Sequence, residues 1–135
     1  QWLSSEQTFD LAARSAAITH GHPTAQVAAG ATALIVRELV VGTSLEDAAA
    51  AALARVQAEP NGEEVATALG KAIAHAASGT KPDDAIPQLW GDAAIAHSSR
   101  GWVAEEALAV AVYAGLSGKN LMEAVAIAVN HDGDS

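Results

Sequence analysis

The last six residues, Asn130-His131-Asp132-Gly133-Asp134-Ser135, gather two carboxylates, an imidazole, an amide and a hydroxyl around one glycine. Asp132 and Asp134 alternate, a spacing that lets carboxylate oxygens converge on a hard cation such as Mg²⁺, Mn²⁺ or Ca²⁺. Two readings stand: part of a metal site, or a solvated helix end in which Gly133 turns the chain. Spacing alone ranks the two aspartates equally and favours the solvated end. The N-x-D-x-D pattern also opens an EF-hand-like calcium loop, but the later glycine and bidentate Glu that finish such a loop are not in this chain.

A second group is Thr19-His20-Gly21-His22-Pro23, two imidazoles and a hydroxyl just before a helix start. It reads equally well as a contact for a polar or phosphate-bearing ligand and as a cap on neighbouring helix ends. A third is Gly101-Trp102-Val103-Ala104-Glu105-Glu106. Trp102 could line a pocket or stack on a base, but its position favours a core anchor. Glu105 and Glu106 suit the positive end of a helix dipole. His75 and His97 have no partners at telling spacing and read as surface or capping residues.

Composition closes several routes. Without cysteine there is no disulfide, thiolate zinc site or thiol nucleophile, which suits a cytoplasmic protein. Sixteen acids against seven bases leave a net charge of −9, which repels phosphate backbones, so direct nucleic-acid binding is not expected. The longest apolar run, from Ala25 to Val36, is too short to span a bilayer. No Gly-rich phosphate loop, serine elbow or H-E-x-x-H pattern occurs.

These residues must be positioned by helices. Alanine makes up about a quarter of the chain, which favours closely packed helices, and no period-two alternation points to a sheet. Ser4 with Gln7 forms a capping box for a first helix that ends near Ile18-Thr19-His20, with Phe9, Leu11, Ala12, Ala16 and Ala17 as its apolar stripe. A nearly all-apolar helix from about Thr24 to Val41 should be the buried centre, with Gly30 allowing a close backbone crossing and Gly42 as its stop. Helices follow at about 44–58 and at 63–77, the latter capped by Asn61 and closed by Gly79. One helical turn is expected around Asp83 to Gln88, then helices from Trp102 or Val103 to Leu116 and from Asn120 to Val129. The expected architecture is all-α, a compact multi-helix orthogonal or bundle domain.

Three ordered segments together resemble the ADP-ribosylglycohydrolase family, which includes the dinitrogenase-reductase-activating glycohydrolases. They are Ala16-Ala17-Ile18-Thr19-His20-Gly21-His22-Pro23-Thr24, Gly101-Trp102-Val103-Ala104-Glu105-Glu106-Ala107-Leu108-Ala109-Val110-Ala111, and Ala128-Val129-Asn130-His131-Asp132-Gly133-Asp134-Ser135. The family's N-terminal Glu and Thr-Asp-Asp motif are not found, nor is the second Asp of its C-terminal loop. The expectation is therefore residues 1–135 as the C-terminal part of a single, incomplete ADP-ribosylglycohydrolase-like domain. The resemblance implies Mg²⁺- or Mn²⁺-assisted hydrolysis of the glycosidic bond between ADP-ribose and an acceptor, with a binuclear metal site in the intact fold. It implies Asp134 as a metal ligand and His20 as an ADP-ribose contact, with His131, Asp132 and Trp102 in support. The implied partner is an ADP-ribosylated protein or an ADP-ribose-containing small molecule. This stretch alone is expected to be inactive, and to self-associate or require the missing N-terminal half, because the 24–41 helix would leave an apolar face uncovered. The alternatives are a catalytically incomplete ADP-ribose- or partner-binding helical module, and a calcium-binding helical module.

Overall fold

The computed structural model describes residues 3–90 and 100–133. The described residues form seven helices: α1 (Ser5–Ala16), α2 (Pro23–Val40), α3 (Leu45–Gln57), α4 (Glu63–Ala77), α5 (Pro82–Leu89), α6 (Ala104–Ser117) and α7 (Leu121–Val129). The all-α expectation therefore holds. The chain divides into two compact units, 1–66 and 67–135, with the boundary inside α4.

In the first unit, α2 packs on both α1 and α3. The Ser4–Gln7 capping box forms as expected, satisfying two orphan donors at the start of α1. Phe9 is buried, whereas Leu11 of the expected stripe faces solvent. A Cβ at Gly30 would lie 2.9 Å from three ring atoms of Phe9. The close approach at Gly30 is thus made by an aromatic ring, not by a second backbone. The Arg55 guanidinium lies over that ring, 4.3 Å from its centroid, and also pairs with Asp10 and Glu59.

Gly42, at φ 95°, ends α2 with two bonds: Thr43 N–H donates to the Glu38 carbonyl at 2.9 Å and Gly42 N–H to Leu39 at 3.0 Å. This left-handed turn is the motif glycine makes possible at a helix end. Beside it, the Glu38 carboxylate accepts from Ser5 Oγ at 2.7 Å, Arg37 at 2.6 Å and Thr43 Oγ1 at 3.3 Å. The Ser5 hydrogen bond foremost, then the Arg37 one, holds Glu38 below its ordinary pKa of 4.5.

The cap of α4 is a correction to the sequence reading. Asn61 takes a left-handed turn conformation at φ 64°, and the residue before the helix is Gly62, whose carbonyl accepts from Ala66 N–H at 2.8 Å. A Cβ on Gly62 would sit 2.1 Å from the Val56 carbonyl oxygen, so only glycine fits between α3 and α4 there.

In the second unit, α6 packs on α5 and α7. Gly79, at φ 68°, repeats the glycine stop at the end of α4, with Thr80 N–H donating to His75 and Gly79 N–H to Ala76. Tyr113 is fully buried, and its hydroxyl donates to the Thr80 carbonyl at 2.5 Å, tying α6 to the α4–α5 turn. α5 is longer than the single turn expected. Pro82 starts it, and it continues through Pro87 because Ala85, Ile86 and Leu89 are all buried. The link from α6 to α7 is short because Gly118 presses on Ala124, where a Cβ would meet backbone atoms at 2.6 and 2.8 Å.

The uncovered apolar surface differs from expectation. α2 buries Val27, Ala28, Ala31, Leu34 and Ile35 and exposes large apolar residues only toward its end, at Val36, Leu39 and Val40. The helix with no buried residue at all is α7.

Candidate active site

The Asn130–Gly133 tail is held in place by a backbone contact. A Cβ at Gly133 would fall 2.0 Å from the Arg100 carbonyl oxygen, a separation no side chain tolerates. Glycine therefore lets the tail lie directly on the turn before α6. That turn carries two positive-φ residues, Arg100 at 48° and Gly101 at 98°. Glu106, on the first turn of α6 and buried, accepts the Gly101 N–H at 2.8 Å. This role goes beyond favouring the helix dipole. The signal in sequence is a glutamate at the third helical position, able to reach back to a donor preceding the helix.

At the other end of the tail, Asn130 follows α7 and its amide donates to the Ala126 carbonyl at 2.8 Å. Gly133 N–H then donates to His131 Nδ1 at 3.0 Å. With Nδ1 accepting, the neutral ring carries its proton on Nε2, so Nε2–H is left as its donor. The Trp90 ring lies against His131, with centroids 5.9 Å apart and planes tilted by 60°. The Trp90 Nε1 is buried and has no hydrogen-bond partner among the described residues.

His131 stands between two concavities. One, of about 270 Å³, is lined by Pro82, Asp83, Ile86, Pro87, Trp90, Asn130, His131 and Asp132. The other, of about 350 Å³, is lined by Gly101, Trp102, Ala107, Val110, Ala111, Ala128 and His131. The first is the chemically equipped one. Two carboxylates, an amide and an imidazole meet there beside an indole, and Asp83 stands on the first turn of α5, where the helix dipole favours a negative charge.

The structure thus brings Asp132 and His131 to one cleft and shares His131 with Trp102 in the other. Trp102 is 70% exposed, which corrects the expectation of a core anchor. Asp83 was not singled out in the sequence, since nothing in residues 82–87 announces that the fold carries it to the tail. Asp134, Ser135 and His97 lie outside the described residues. His20 belongs to the first unit: its Nδ1 is 2.8 Å from Thr19 Oγ1, and its carbonyl accepts from Gln26 Nε2 at 3.0 Å. His22 precedes α2 but makes no side-chain cap, and Pro23 occupies the first turn. His75 does take an end-of-helix role, with Nδ1 3.3 Å from Thr80 Oγ1.

Among the described residues, no three His, Cys, Asp or Glu side chains cluster closely enough to hold a metal ion. The oxygen donors Asp83, Asn130 and Asp132 are of the hard type that Mg²⁺ and Mn²⁺ prefer, so the chemistry of the cleft fits such an ion while the number of ligands falls short. No helix among the described residues is long and apolar enough to cross a membrane.

No curated protein matches the chain, and no solved structure does. The family model for ADP-ribosylglycohydrolase matches residues 2–135, all but the first residue. With all three ordered segments inside that match and an all-helical fold around them, the chain belongs to the ADP-ribosylglycohydrolase family of hydrolases.

Proposed function

We propose that the chain contributes to hydrolysis of the glycosidic bond joining ADP-ribose to an acceptor, with the Asp83–Asp132 cleft as part of the reaction site. The observation that carries this reading is the meeting of Asp83, Asn130, His131 and Asp132 in one concavity, on the loop that Gly133 pins to Arg100. Family membership supplies the reaction class. The acceptor is a protein side chain or a small molecule, and the absence of cysteine suits a reducing compartment such as the cytoplasm.

Asp134 is the metal ligand in this reading, with Asp132 in support and Mg²⁺ or Mn²⁺ as the ion. A bound divalent ion supplies orientation of ribose hydroxyls and a more acidic water. The chain's own residues do the rest. The His131 ring, fixed by the Gly133 N–H, offers Nε2–H to a ligand oxygen. Trp102 walls the far side of the same histidine, and Trp90 limits water at the near side. His20, on the turn before α2, is the proposed ADP-ribose contact.

The test is release of ADP-ribose from an ADP-ribosylated protein by the chain extended on both sides, measured with Mg²⁺, with Mn²⁺ and with chelator. The reading expects metal-dependent release that Asp134→Asn abolishes. Full turnover by that variant would overturn the metal role. Calorimetric binding of ADP-ribose without any turnover would favour a binding module instead.

A further inference from the structure

We propose that Glu106 is a positioning residue: its carboxylate latches the Arg100–Gly101 peptide group, and through that one plane sets the loop that carries His131 and Asp132. The effect on catalysis rests on the reaction proposed above, whereas the latch rests on geometry alone. Glu106 is 3% exposed, and an acid so buried is tolerated only when it is hydrogen-bonded. Its Oε2 accepts the Gly101 N–H at 2.8 Å. A glutamate at the third position of a helix ordinarily reaches back to the N–H of the cap residue, here Val103. This bond goes two residues further, to a turn outside the helix.

The N–H that Glu106 accepts and the carbonyl on which Gly133 rests belong to the same peptide group. No cis bond occurs among the described residues, so this group is trans and points the two toward opposite sides. Glu106 thus holds one edge of the plane while the tail lies on the other, where a Cβ at Gly133 would be 2.0 Å from the Arg100 oxygen. The flanking backbone does not fix the plane by itself. Arg100, at φ 48°, is in a region disfavoured for arginine, and Gly101, at φ 98°, adopts the opposite sign as readily. Without the carboxylate the plane can rotate, which moves the oxygen from beneath Gly133 and shifts the loop. Backbone of this kind persists only where its surroundings hold it, and it gathers at functional sites. Because α6 also packs on α5 and α7, the latch ties the loop to the helix that brings Asp83 and Asp132 together.

The test compares Glu106→Met, which keeps the length and volume but loses the acceptor, with Glu106→Gln, which keeps an accepting oxygen. Both are made in the chain extended on both sides and are first read without metal. In Glu106→Met, deuterium exchange at the Gly101 amide should speed up about tenfold or more, and the amide signals of residues 131–133 should move. The helical circular dichroism spectrum should stay unchanged, and Glu106→Gln should restore both signals. With metal, release of ADP-ribose should fall about tenfold in Glu106→Met and recover in Glu106→Gln. Signals of 131–133 that stay in place in Glu106→Met overturn the proposal, as does equal damage in the two variants. Full turnover by Glu106→Met with a displaced loop overturns the positioning role. If Glu106→Met does not fold, the wild type decides: slow exchange at Gly101 supports the latch, and exchange as fast as an exposed amide refutes it. A wild type that shows the latch but releases no ADP-ribose overturns the reaction proposed above, not the latch.

Discussion

Replacing Gly133 with alanine tests how the tail loop is held. The added Cβ would stand 2.0 Å from the Arg100 carbonyl oxygen and 2.9 Å from His131 Nδ1. Carbon and oxygen approach no closer than about 3.3 Å, so the loop and the Arg100–Gly101 turn must separate by roughly 1 Å. The Gly133 N–H bond to His131 Nδ1 is now 3.0 Å, and a shift of about that size carries it beyond hydrogen-bonding range. One lost bond costs about 1 kcal/mol, which for a chain of this size lowers Tm by about 3–5 °C. Losing that bond frees the His131 ring against Trp90. The assay is a pair of measurements, thermal unfolding and a ¹H–¹⁵N correlation spectrum. Amide shifts should be concentrated at residues 100–101 and 131–133, and the His131 ring nitrogens should move. In the chain extended on both sides, turnover on an ADP-ribosylated acceptor should fall about 10²-fold, the usual consequence of a 1 Å misplacement. Unchanged spectra and Tm would refute the reasoning. A loss of about 10 °C or more would equally refute it, because the damage would then not be confined to the loop.

Tyr113→Phe removes the hydroxyl that donates to the Thr80 carbonyl in a fully buried position. It should cost about 1–2 kcal/mol in urea unfolding, and an unchanged midpoint would mean that the bond contributes nothing. Glu38 has a folded pKa below its ordinary 4.5, so its contribution is complete above that value and is lost as the pH falls through the lowered one. Glu38→Gln should therefore unfold more easily than wild type at neutral pH and approach it in acid. A gap between the two that widens on acidification would contradict this sign.

The helices were largely legible because their signals are local. The Ser4–Gln7 box and the glycine stops at 42 and 79 depend on neighbours within one or two turns, and all act where the sequence places them. What failed was each statement that needed a distant partner. Asn61 looked like a cap, but the Val56 carbonyl leaves space only for Gly62. Trp102 looked like an anchor, yet it faces solvent beside α7. The segment around Asp83 to Gln88 read as one helical turn, but burial of Ile86 and Leu89 extends it to α5 and outweighs the hydrogen bond that Pro87 lacks.

Residue order alone determined an all-helical chain, its breaks, its acidic surface and an ordered set of segments that marks its family, because each is read within a short window. Tertiary structure decided the cleft. Asp83 and Asp132 are almost fifty positions apart and meet only because α6 packs on both α5 and α7, and because Gly133 has no side chain to keep the tail off Arg100. The exposed stripe of α7 was likewise decided by packing, since apolar composition does not say which faces find a neighbour.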